Sequence, residues 1–141
     1  MKPSRIAKIL SANDTGDTGG HQAGILIPKN PRILSFFPTL DARERNPRCH
    51  LMFEDESGDR WEFAFIYYNS RLFGLTRNEY RLTRMTAFIR RNALAPGDEI
   101  VLDHTSGDRW RISFHRANAT QAPGSARFVL KLGAGWQVVD I

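Results

Sequence analysis

The chain has 141 residues, of which 41% are apolar and 11% aromatic, enough to bury one core in one domain spanning 1–141. Lys and Arg number 20 against 15 Asp and Glu, a net +5 with a pI near 9.9, and most of the excess is arginine, whose planar fork suits phosphates and guanine edges. The single cysteine, Cys49, excludes an internal disulfide and reads as a core thiol, and the lack of any long apolar run or N-terminal h-region argues against membrane insertion and for a cytoplasmic protein.

The first apolar segment, Ile6-Ala7-Lys8-Ile9-Leu10, leads into a polar, glycine-rich run from Ser11 to Pro28. That run should pass into the strand Ala23 to Ile27 with no helix between, and so build an arm. Gly16, Gly19 and Gly20 permit close backbone approach to another surface. Asn13, Asp14, Thr15, Asp17, Thr18, His21 and Gln22 crowd hydrogen-bonding groups onto the same segment. Asp14-Thr15-Gly16 and Asp17-Thr18-Gly19 each spell the aspartic-peptidase tripeptide, but two carboxylates three residues apart on one loop cannot form that dyad, so a peptidase would need a homodimer.

Leu51 to Phe53 and Trp61 to Tyr68 alternate apolar and polar residues around Glu56-Ser57-Gly58-Asp59, which predicts a hairpin. Next comes the charged stretch Arg71 to Arg84. In an extended backbone Arg77, Glu79 and Arg81 point one way, and Asn78 and Tyr80 the other. Such a row suits a major groove, since arginine can bond guanine O6 and N7 in pairs and glutamate can accept from cytosine N4. The plainer reading is an edge strand whose charges pair among themselves. A helix is expected from about Arg84 to Asn92, with Met85, Phe88 and Ile89 on one face, stopped by Pro96-Gly97.

Ser57-Gly58-Asp59-Arg60-Trp61 returns 49 residues later as Ser106-Gly107-Asp108-Arg109-Trp110, again between an apolar segment (Ile100 to Leu102) and an alternating one (Trp110, Ile112, Phe114). The repeat predicts a second, similar hairpin, an architectural feature rather than a functional one. A loop from Ala117 to Ala126 then precedes the last strands, Phe128 to Leu130 and Trp136 to Val139. The pattern is mainly β (α+β): an open pseudobarrel of about seven mixed strands with one or two short helices.

No catalytic centre is legible. The lysines Lys2, Lys8, Lys29 and Lys131 never follow an acid two positions earlier, as a restriction-type metal nuclease requires, and neither a nucleophile elbow nor a phosphate loop occurs. Cys49 with His21, His50, His104 and His115 shows no metal-ligand spacing, and no cofactor is expected.

The words Ser-Ala-Asn-Asp-Thr-Gly and Gly-Gly-His-Gln within the first run, with the charged pattern around Arg77 to Arg81, resemble the N-terminal effector (DNA-recognition) domain of the EcoRII-type restriction endonucleases. The resemblance is closest over Ser11 to Pro28, fair over Leu72 to Arg84 and loose elsewhere. It implies a DNA-binding pseudobarrel similar to the plant B-three domain, excised from a larger type IIE enzyme recognising CCWGG, with catalysis in a separate nuclease domain of the same polypeptide. It implies major-groove contacts from one arm at Asp14, Thr15, Gly16, Asp17, Thr18, Gly20 and His21, and from a second at Arg77, Asn78, Glu79, Tyr80 and Arg81. Leu26 departs from the aromatic expected on the exit strand. With both arms on one chain, a monomer binding double-stranded DNA is expected. The alternative is a single-stranded DNA or RNA binder stacking bases on Phe65, Tyr67, Tyr68 and Trp110.

Overall fold

The computed structural model describes residues 2–17, 24–105, 108–117, 128–131 and 135–140, with 128–131 and 140 described by backbone alone. Nine strands run through them: β1 (Arg5–Ile9), β2 (Ile25–Ile27), β3 (Arg48–Glu54), β4 (Arg60–Tyr68), β5 (Glu79–Thr83), β6 (Glu99–Thr105), β7 (Arg109–His115), β8 (Phe128–Lys131) and β9 (Trp136–Asp140). They form one sheet in the order β2-β5-β4-β3-β7-β6-β1-β9-β8. Every extended segment read from the sequence is a strand, so the count is nine rather than about seven. The sheet is mixed because β3 runs parallel to β7, while the other described pairings are antiparallel.

Alternation decides what each strand buries. Ile6, Ile25, Ile27, Leu51, Phe53, Phe63, Phe65, Leu82, Ile100, Leu102, Ile112 and Trp136 converge on one core, and their neighbours in sequence turn to the other face of the sheet, where Ala7, Val101 and Val139 form a second small buried cluster. The repeated words do mark two hairpins, β3–β4 and β6–β7, and the parallel contact joins them: Phe53 pairs with Trp61 across one ladder and with Trp110 across the other. In the first turn the Asp55 carboxylate accepts from the N–H groups of Ser57 and Asp59 and from the Trp61 indole at 2.9 Å. Cys49 is only half-buried and packs at the margin of the core.

Three short helices sit outside the sheet. The first, α1 (Ala12–Thr15), overturns the expectation that no helix follows the first strand. Its cause is a reciprocal cap, in which the Ser11 hydroxyl accepts from the Asp14 N–H and the Asp14 carboxylate from the Ser11 N–H. The Ser-x-x-Asp word carried that signal. The second helix, α2 (Pro31–Leu34), begins at an Asn30 cap with proline in its first turn and lays Ile33 on the core. The third, α3 (Thr86–Arg91), is shorter at both ends than expected. Arg84 at φ 66° stands in the left-handed region before it, and Ala93 at φ 50° turns the chain after it, ahead of Pro96.

The ends of this sheet meet. Trp136 on β9, 1% exposed, donates its indole N–H to the carbonyl of Leu26 on β2 at 2.9 Å, so a strand next to one edge is stitched to the opposite edge strand and the sheet curls. Close packing on the β2 side also depends on Gly24, where a Cβ would lie 2.0 Å from the Leu82 carbonyl oxygen. Replacing Trp136→Phe keeps an aromatic ring but removes the donor and some volume. The expected loss of unfolding free energy is about 1–3 kcal/mol, read from urea titrations, and unchanged stability would show that the stitch contributes nothing.

Candidate nucleic-acid interface

Curling brings the start of the first arm beside the charged strand. Lys8, Ile9, Leu10, Ser11, Asn13, Asp14, Leu26, Arg81 and Gly135 line one groove of about 480 Å³ along the seam between β1–β9 and β2–β5. Lys8 shares the inward parity of Ile6 on β1, opposite Ile100 and Trp136, so its stem lies along apolar neighbours and its ammonium emerges at the groove. There it meets the Asp14 carboxylate at 2.9 Å, with both side chains largely shielded from solvent. Sequence reasoning did not single out Lys8, although a charge at core parity in an apolar strand is the signal of a partnered lysine.

Asp14 therefore has two local duties, capping α1 and neutralising Lys8. Thr15 turns its hydroxyl to Asp17 at 2.9 Å, and Asp17 is exposed beyond Gly16, whose φ of 84° closes the helix. Thr18, Gly20 and His21, the remaining positions of the first arm, lie outside the described residues.

The second arm obeys strand parity. Glu79 on β5 receives Arg77 at 2.8 Å and Arg81 at 3.2 Å, so the three charges share a face and pair with one another, but on a strand flanked by β2 and β4 rather than on the edge strand that the plainer reading expected. Tyr80 faces the other way and stacks on Tyr67 at 4.2 Å, while Asn78 accepts the Tyr67 hydroxyl at 2.7 Å. Exposure separates the two arginines: Arg77 has 48% of its side chain in solvent and lies 3.8 Å over the Tyr68 ring, whereas Arg81 has 5%. Arg81 stands in a row across four strands, Arg48, Ile66, Arg81 and Leu26, and the exposed Arg48 adds a cation to that outer face.

The aromatics considered as base-stacking platforms are engaged within the protein. Phe65 is 1% exposed, Tyr67 stacks on Tyr80, Arg77 covers Tyr68, and Trp110 stacks on His104 at 3.7 Å. That arrangement serves packing.

The family described as restriction endonuclease EcoRII, N-terminal, matches residues 4–99. The type II restriction enzyme EcoRII of Escherichia coli is 51% identical over 80 residues, 55% of this chain and 20% of that enzyme. Auxin response factor 4 of Arabidopsis thaliana is 28% identical over 115 residues, 82% of this chain and 13% of the factor. The chain thus spans a fifth or less of these curated relatives. A solved structure titled Arabidopsis FUS3-DNA complex has the same fold, with a TM-score of 0.62 at 19% identity over 79% of this chain and 96% of that one.

Partial burial pushes the Glu79 carboxyl up, but the Arg77 hydrogen bond and the Arg81 charge outweigh it and hold the group below its usual range. A carboxyl depressed by folding stabilises the protein above its unfolded pKa, and that contribution is lost as pH falls through the folded value. Wild type should therefore exceed Glu79→Gln in stability at neutral pH, and the gap should close as pH falls below about 4. Melting temperatures across that range check it, and a gap independent of pH would refute it.

Proposed function

The chain belongs to the EcoRII N-terminal family, and on that premise we propose that it is the DNA-recognition (effector) domain of a type IIE restriction endonuclease, binding duplex CCWGG through two arms in the major groove. The observation that carries the reading is the seam groove, where the capped start of the first arm and Arg81 of the second line one cavity. That the structure with the same fold was solved as a DNA complex also supports it.

In this reading Arg77 and Arg81 each present a guanidinium fork to a guanine, and Glu79, between them, accepts from a cytosine amino group. The Glu79 carboxylate orients both forks before DNA arrives, which lowers the entropy lost on binding. Asn78 and Tyr80 act from the opposite face by holding the strand on Tyr67. On the first arm the Asp14 cap and Gly16 close α1 directly ahead of Asp17. There Asp17 accepts from a cytosine, and Thr18, Gly20 and His21 meet base edges or phosphates. Asp14 and Thr15 position this arm. Both arms belong to one chain, so a monomer embraces the site. Cleavage falls to a separate catalytic domain of the same polypeptide, which this domain regulates from a second copy of the sequence.

Exposure predicts that the two arginines separate in their effects. Arg77→Ala should weaken binding to a CCWGG duplex by about 1–3 kcal/mol and leave the melting temperature nearly unchanged. Arg81→Ala should lose comparable affinity and also melt lower, because its guanidinium is buried against Glu79. Fluorescence anisotropy against cognate and scrambled duplexes, with affinity falling steeply as salt rises, tests the reading. Equal wild-type affinity for both duplexes at moderate salt would overturn it.

A further inference from the structure

The loop between β4 and β5 presents apolar side chains to solvent. Leu72, Phe73 and Leu75 are 61%, 46% and 57% exposed, three large hydrophobics within four residues, next to the exposed Arg71 and Arg77. Isolated surface leucines are ordinary, but a cluster on one loop tip marks a contact surface.

The loop is strapped down beneath this tip. Asn69, fully buried, donates its amide to the carbonyls of Ala42 and Glu44 at 3.1 and 2.6 Å and accepts the Asn46 N–H at 2.7 Å. Ser70 receives the Arg77 N–H on its hydroxyl and the Leu75 N–H on its carbonyl, and the Arg71 N–H bonds the Arg77 carbonyl at 2.8 Å. A 3-10 turn over Ser70–Phe73 closes at Gly74, φ 87°. These bonds fix the loop's shape from beneath and leave the three apolar side chains facing solvent.

We infer that Leu72, Phe73 and Leu75 form an apolar tip that packs on the C5-methyl group of a thymine in the major groove; the inference rests on the duplex-binding reading above. The β4–β5 hairpin that carries Arg77, Glu79 and Arg81 also carries this tip, so a partner reached by one is reached by the other. Pairing with β3 ends at Ile66 and pairing with β2 ends at Tyr80, so the connection projects beyond its flanking strands, and the apolar group that a major groove displays to such a projection is the thymine methyl. The exposed Arg71 beside the tip matches the phosphates that rim a groove. The tip thus adds preference for a T·A or A·T pair beside the G·C pairs read by the charged row.

The test titrates the whole chain with a CCWGG duplex and with the same duplex in which deoxyuridine replaces each thymine of the site and its flanking pairs, a change that removes only the methyl groups. Wild type should bind the deoxyuridine duplex about fourfold more weakly, the factor expected for one buried methyl-sized group. Leu72→Ser, Phe73→Ser and Leu75→Ser are measured alongside; at least one should lose a similar factor on the thymine duplex and no more on deoxyuridine. Wild-type affinities equal on the two duplexes, or serine variants that retain the full preference for thymine, would overturn the tip contact while leaving duplex binding intact. Failure of wild type to bind either duplex would overturn both readings.

Discussion

A single side-chain hydrogen bond, from the Trp136 indole to the Leu26 carbonyl, connects strands that the sheet order places almost at opposite ends. A twisted sheet of this length would otherwise leave β2 as an open edge with unpaired carbonyls. By meeting one of those carbonyls with a donor 110 residues distant, the protein closes its seam with Trp136 buried in the same core cluster as Ile6, Ile25 and Ile100. Everything proposed about the groove depends on this closure. It sets Lys8 and Asp14 of the first strand and its capping helix against Leu26 and Arg81 of the β2–β5 pair.

Around that seam the charges are arranged in two pairings of different character. Lys8 and Asp14 are shielded, and removing one member would leave the other uncompensated in a place with little water. The triad on β5 is graded: Arg77 reaches into solvent, Glu79 is partly covered and Arg81 is enclosed. An exposed ion pair contributes only about 0–1 kcal/mol. The outer half of the triad is therefore cheap to rearrange when a partner supplies better acceptors, while the inner half holds its geometry. A reading head needs both properties. On the proposed reading Glu79 also discriminates, because a carboxylate between two guanidiniums repels any phosphate or base acceptor that enters out of register.

The two hairpins with the repeated Ser-Gly-Asp-Arg-Trp word show how similar sequence serves different neighbours. In the first, Trp61 bonds Asp55 and lies beneath Arg91 of α3. In the second, Trp110 stacks with His104 and meets Phe36 edge-on. Each copy supplies the start of a strand, and the parallel pairing at Phe53 joins the two hairpins into one sheet. The β4–β5 connection, which lacks the repeat, is the longer one and bears the exposed apolar tip.

Local chemistry was legible in the sequence. Apolar and alternating segments located the strands although the count expected was about seven, the Ser-Gly-Asp word located the first hairpin turn, and the i, i+2, i+4 spacing put Arg77, Glu79 and Arg81 on one side of the chain, since the strand period is a property of the backbone alone. The Ser11-to-Asp14 capping word was equally local, and α1 was there to be read. Burial was not legible. Nothing adjacent to Arg81 distinguishes it from Arg77, and their difference arises because β2 pairs alongside β5 and covers one and not the other. Nor could spacing show that Lys8 would find Asp14, or that Trp136 would reach Leu26, because these contacts follow from strand order and curl. The sequence by itself determined the elements, their turns and which side of each strand is apolar. The tertiary structure alone decided which charges meet and which are shielded, because those depend on closing a sheet whose edges lie more than a hundred residues apart.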